Sequence, residues 1–119
     1  MNKRVLIYDD DQEILILCKT ILAKRNYLVE THTRCENILQ DIEHTKPDII
    51  LMDLWIPEIG GEKAVTIMKE NPETGHIPVL LFSANAEIKE ISKKIRADGY
   101  IAKPFDINHL LQSIEKYIL

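Results

Sequence analysis

Three aspartates stand in a row at Asp9-Asp10-Asp11, directly behind the apolar run Val5-Leu6-Ile7-Tyr8. A fourth, Asp53, follows the apolar run Ile49-Ile50-Leu51-Met52. Ser83 and Ala84 follow Val79-Leu80-Leu81-Phe82, and Lys103-Pro104 follows the shorter Gly99-Tyr100-Ile101-Ala102. If these runs are neighbouring strands, their ends gather carboxylates, a hydroxyl and a lysine in one place. Carboxylates held that close repel one another and partly protonate if left alone. A hard divalent cation relieves the repulsion, and Mg²⁺ favours carboxylate, water and phosphate oxygens. No cluster of His or Cys invites a transition metal. A carboxylate in such a place can attack phosphorus and become an aspartyl phosphate. That transfer needs alignment and charge neutralisation above all. Mg²⁺ and Lys103 would supply positive charge, and Ser83 and the Ala84 N–H would donate to phosphoryl oxygens.

The elements that must position these residues can be read from periodicity. Helical spacing appears in Ile14, Cys18, Ile21 and Leu22, in a helix opening near Asp11. Asp11 is read as the cap of that helix and not as a metal ligand. Leu28 to His32 is a more polar strand, and Ile38, Leu39 and Ile42 mark a short helix stopped by Pro47-Asp48. The breakers from Pro57 to Gly61 make a loop, followed by a helix over about 62–70. Ile88, Ile91 and Ile95 give a thin stripe on a helix over about 86–97, expected to pack weakly. Ile107, Leu110, Leu111, Ile114, Tyr117 and Ile118 form a closing amphipathic helix. Alternating β and α predicts an α/β fold with a five-stranded parallel sheet covered on both faces. The first, third and fourth strands are continuously apolar and belong in the middle. The second and fifth belong at the edges, which suits the order 2-1-3-4-5.

The chain has 119 residues, enough for one domain, with 45% hydrophobic and 29% charged side chains. Fifteen Lys and Arg against nineteen Asp and Glu give a net charge of −4, without a basic block to attract nucleic acid. Cys18 and Cys35 have no metal-ligand spacing and read as reduced thiols. The four histidines, 32, 44, 76 and 109, are scattered and expected at the surface. No segment reads as a signal peptide or a membrane span, and a cytoplasmic protein is expected.

Together, in this order, the segment Val5–Asp11, the segment Asp53–Pro57 with Gly61, Ser83-Ala84 and Gly99–Phe105 resemble a response-regulator receiver domain over the full length. The resemblance implies a flavodoxin-like, doubly wound sheet. It implies that Asp53 accepts a phosphoryl group from a histidine kinase or histidine phosphotransfer protein. Asp10 would bind Mg²⁺ directly, Asp9 would assist partly through water, and the Trp55 backbone carbonyl would be a further ligand. Ser83 and Lys103 would contact the phosphoryl group, and Tyr100 would turn inward when Ser83 moves. Lys103-Pro104 would be a cis peptide, as in similar proteins. Taken singly, Ser83 is a strand-end turn residue, Lys103 a solvated lysine and Tyr100 an edge-strand aromatic. Their joint pattern carries the functional reading.

Trp55 and Asn85 border the site at positions that tend to govern access of the hydrolytic water, and Trp55 is expected to shield the phosphate. Ile56, where Met is commoner, is a conservative packing change. A flavin binder would need a Ser/Thr/Gly-rich loop where the three aspartates stand. An aspartate-based phosphatase would need a second Asp at position 55. The chain is therefore expected to be a phosphoacceptor and not a turnover enzyme. Its switched surface would comprise the fourth helix, the fifth strand and the last helix. A downstream protein, or a second copy in a homodimer, would bind there. No output module is legible within these residues, which leaves a stand-alone receiver and one excised from a longer protein both open.

Overall fold

The computed structural model describes residues 2–118. Five strands alternate with five helices: β1 (Arg4–Tyr8), α1 (Gln12–Ala23), β2 (Leu28–His32), α2 (Ile38–Thr45), β3 (Ile49–Asp53), α3 (Gly61–Glu70), β4 (Val79–Ser83), α4 (Ile88–Lys94), β5 (Gly99–Ala102) and α5 (Ile107–Tyr117). All strand pairs are parallel and the order is β2-β1-β3-β4-β5, as expected. β3 and β4 are buried throughout, and β1 is buried after its first residue.

The two-residue period of a strand explains how two helical layers share one sheet. Leu6, Tyr8, Ile50, Met52 and Leu81 face α2, α3 and α4, where Ile38, Ile42, Val65 and Met68 complete the packing. Val5, Ile7, Leu51, Phe82 and Ile101 face α1 and α5, where Leu15, Cys18, Leu22, Leu110 and Ile114 meet them. Side-chain caps start three helices, with Asp11 accepting from the Glu13 N–H, Asn37 from Gln40 and Asp106 from His109. α3 starts differently. A Cβ on Gly61 would collide with the Asp53 carbonyl oxygen and lie 2.8 Å from Leu54 Cα. Only glycine lets α3 begin this close to the end of β3. Among the described residues, no helix is long and apolar enough to cross a membrane.

The fourth helix is shorter than its hydrophobic stripe suggests, covering Ile88–Lys94 and not 86–97. At its start the Asn85 side chain accepts from the Glu87 N–H at 2.8 Å, a local turn that competes with helix. At its end Arg96 is left-handed, with φ 62°, and Ala97 N–H returns to the Ser92 carbonyl at 2.9 Å. Ile88, Ser92 and Ile95 are buried beneath it.

A polar latch closes the end of the sheet away from the strand ends that carry the aspartates. Lys69 Nζ donates to the Gly75 and Ile77 carbonyls at 3.1 and 2.8 Å and to Asp98 Oδ2 at 2.8 Å. These use all three ammonium protons. The same Asp98 oxygen accepts the Val79 N–H, so the latch joins α3, β4 and the turn before β5. Asp98→Ala would leave the Lys69 charge buried and unpaired, and is expected to cost about 2–3 kcal/mol. Lys69→Met leaves a carboxylate that can reach water and should cost less. Urea unfolding of the two variants checks this, and an equal or larger loss for Lys69→Met contradicts it.

Candidate functional site

The carboxyl ends of β1, β3, β4 and β5 converge as their register requires. Asp53 lies opposite Phe82 and Ser83 opposite Ala102, so the residues after each strand share one rim. Asp9, immediately after β1, is fully buried. Its N–H donates to the His32 carbonyl at 3.1 Å, and its Oδ1 accepts the Asp11 N–H at 2.9 Å. Asp11 points away as the α1 cap, as its position suggested. Asp10 is exposed at the mouth. Asp9, Asp10 and Asp53 each offer an oxygen within 4.8 Å of the others.

Lys103 is the cation set against this cluster. Its Nζ lies 2.6 Å from Asp9 Oδ2 and 3.8 Å from Asp53 Oδ1. Two features aim it there. The Lys103 N–H donates to the Ser83 carbonyl at 2.9 Å, and the following bond to Pro104 is cis, as expected. Nζ also lies 5.4 Å from the centre of the Phe82 ring, which stacks on Phe105 at 5.0 Å.

Three carboxylates against one ammonium leave negative charge in excess. Burial is the main force holding the Asp53 carboxyl up at about 6, and the Asp9 charge adds to it. Lys103 and the Trp55 N–H, 3.5 Å from Asp53 Oδ1, pull the other way. The donors are all oxygen and the uncompensated charge is anionic. The cluster can therefore hold a hard divalent cation.

Ser83 ends β4 and is buried. Its Oγ accepts the Asn85 N–H at 3.0 Å, so its own proton is free to be donated elsewhere. Ala84 is exposed beside it. Tyr100 sits two residues before the end of β5 and is 40% exposed. Trp55 is 70% exposed and is not a core residue, and its N–H lies 3.5 Å from Asp53 Oδ1, whereas Ile56 is buried.

One supporting wall had no signal in the motif pattern. Tyr8, fully buried at the end of β1, donates to Asp41 Oδ2 at 2.6 Å and stacks on the His32 ring at 5.4 Å. Burial, then the Asp41 bond, raises the Tyr8 phenol above its ordinary range. His32 is thus half-buried and structural, a correction to the expectation that all four histidines lie at the surface. The available clue was Tyr8 itself, since a buried tyrosine hydroxyl needs a partner.

Residues 5–115 match the family described as the response regulator receiver domain. The chain is 35% identical to the nisin biosynthesis regulatory protein NisR of Lactococcus lactis over 99% of its own length, but spans only about half (51%) of that protein. It is 32% identical to sporulation initiation phosphotransferase F of Bacillus subtilis, covering 99% of this chain and 95% of that one. Among solved structures, a response regulator from Chloroflexus aurantiacus superposes with a TM-score of 0.92 at 25% identity, covering 99% and 98% of the two chains.

The raised Asp53 carboxyl has a sign that can be tested. Between its ordinary 3.8 and about 6 the folded chain binds more protons than the unfolded one, so stability falls as pH rises through that window. Asp53→Asn removes the penalty and is expected to gain on the order of 2 kcal/mol at neutral pH, and nothing below about pH 4. Mg²⁺ should stabilise the wild type at neutral pH and much less at about pH 5, where Asp53 is protonated. Thermal melts at the two pH values check both. An Asp53→Asn gain that persists unchanged below the window contradicts the assignment.

Proposed function

The chain belongs to the response regulator receiver domain family of two-component systems, and on that premise we propose that Asp53 accepts a phosphoryl group from a histidine kinase or histidine phosphotransfer protein in a Mg²⁺-dependent reaction. The observation that carries the reading is the buried Asp53 carboxyl, set between Asp9, Asp10 and the Lys103 ammonium. Asp10, Asp53 and the Trp55 carbonyl would bind Mg²⁺ directly, with Asp9 partly through water. When bound, Mg²⁺ offsets the carboxylate charge and that of the phosphoryl oxygens.

An Asp53 oxygen attacks phosphorus in line with the departing group. The P–N bond to the donor imidazole breaks, and the ring nitrogen leaves with the bonding pair. Lys103 turns from Asp9 toward a phosphoryl oxygen, a short swing given its 3.8 Å distance from Asp53. The Ser83 hydroxyl and the Ala84 N–H donate to the other oxygens. Ser83 moves toward the phosphate, and Tyr100 turns into the space it leaves. The α4–β5–α5 face changes shape, and its partner is a downstream protein or a second copy of this chain. The reading makes the chain a cytoplasmic phosphoacceptor without phosphatase turnover, since Trp55 stands where a general acid would be needed.

Two experiments test this. With Mg²⁺ and acetyl phosphate the intact mass should rise by one phosphoryl group, and Asp53→Ala should abolish the gain. A wild type that stays unmodified, or a labelled Asp53→Ala, counts against the reading. Separately, the exposed Trp55 indole is free to fold over the phosphate and exclude water. Trp55→Ala is expected to speed autodephosphorylation about tenfold, equivalent to ~1.4 kcal/mol in the barrier. Unchanged or slower decay removes the shielding role.

A further inference from the structure

The loop after β3 carries Trp55, and it is tied on two sides. Towards the sheet, the Ile56 N–H donates to the Asp53 carbonyl at 3.3 Å and the Gly61 N–H to the Leu54 carbonyl at 3.1 Å. On its other side the loop meets the turn between β2 and α2. There the Cys35 N–H donates to the Pro57 carbonyl and the Ile59 N–H to the Cys35 carbonyl, both at 3.2 Å. Cys35 and Glu58 thus form an isolated parallel bridge. Cys35 is fully buried in the cluster that holds Tyr8 and Ile56, which anchors the turn in the core.

Side chains close the same contact from outside. An Arg34 guanidinium nitrogen donates to Glu58 Oε1 and lies 2.9 Å from Glu36 Oε1. Glu58 has φ 83°, a left-handed backbone that favours glycine. Such a conformation persists in another residue only where its surroundings hold it. A glycine would relieve the backbone but leave Arg34 without its partner across the bridge. Exposed ion pairs add little to global stability. The effect of this one is local: it holds the shape of the loop.

Peptide planarity carries that shape to the site. The Ile56 N–H and the Trp55 carbonyl belong to one trans peptide and point in opposite directions. Fixing the N–H on Asp53 therefore aims the carbonyl, and the Cys35 grip on Pro57 fixes the chain just beyond. We infer that the clasp of Arg34 and Cys35 on the 57–59 segment positions the Trp55 carbonyl, and so sets how tightly the aspartate cluster holds Mg²⁺. Arg34 and Glu58 are positioning residues, and neither touches the ion. The inference rests on the reading of the Trp55 carbonyl as a Mg²⁺ ligand. Its sign is distinctive. By charge alone, removing an arginine strengthens the binding of a cation to the protein. Through the clasp, the same change loosens a ligand and weakens binding.

The test follows Mg²⁺ titrations by amide NMR shifts at 9–10 and 53–56 in the full chain. It compares wild type, Arg34→Ala, Arg34→Glu, and Arg34→Glu combined with Glu58→Arg. Arg34→Ala is expected to weaken Mg²⁺ binding about three- to fivefold, the upper range for an exposed ion pair. Arg34→Glu should weaken it further, and the exchanged pair should recover most of the loss. Amide hydrogen exchange at Cys35 and Ile59, measured without metal, should quicken in the same order. Lys94→Ala breaks the comparably exposed Lys94–Glu62 pair and should not weaken Mg²⁺ binding. At saturating Mg²⁺ the rate of phosphorylation by acetyl phosphate should return to that of the wild type. Unchanged or tighter Mg²⁺ binding in Arg34→Ala, or an exchanged pair no better than Arg34→Glu, overturns the inference and leaves the phosphoacceptor reading standing. A wild type that does not bind Mg²⁺ overturns both.

Discussion

The constraint on which the structure depends is the repulsion among Asp9, Asp10 and Asp53. Three carboxylates offer oxygens within 4.8 Å of one another, two of them almost without access to water. That arrangement disfavours folding, and the rest of the chain must offset it. The offset comes from two hydrophobic layers on a buried parallel sheet, and locally from Lys103 at 2.6 Å from Asp9. The unrelieved remainder appears as the raised Asp53 carboxyl. A site held in that condition is poised to take up a cation, because binding one removes an existing cost.

The scaffold's precision follows from how it meets this constraint. Parallel register places Asp53, Ser83 and Lys103 on one rim without any of them being adjacent in sequence. Gly61 lets α3 start against the Asp53 and Leu54 backbone. The link to the distant face is equally short. Ser83 pairs with Ala102, and Tyr100 lies two residues earlier on the same strand. In the proposed function, a small movement of the Ser83 hydroxyl would take place one strand away from Tyr100, which lies on the strand that α4 and α5 flank.

Much of this was legible before any coordinates, for a physical reason. Strands buried on both faces must be continuously apolar, so a charged residue at the end of such a run announces the rim. Asp9 and Asp53 were visible in that way, Ser83 as the polar end of the equally apolar β4, and Lys103 only as the residue after the short edge strand β5. The ends of α4 were not, because they are set by the Asn85 side-chain turn and the left-handed Arg96, which leave the Ile88, Ile91, Ile95 stripe unchanged. The stack of Tyr8 on His32 and its bond to Asp41 were also hidden, since β1, β2 and α2 must be assembled before these residues meet.

The most direct measurement is the identity of the modified atom. After reaction with a phosphodonor, borohydride reduction converts an aspartyl phosphate to homoserine, which peptide mass spectrometry can locate. Homoserine is expected at position 53 alone, formed only when Mg²⁺ is present. Homoserine at position 9 or 10, or a stable phosphoryl group on a histidine with Asp53 intact, would contradict it.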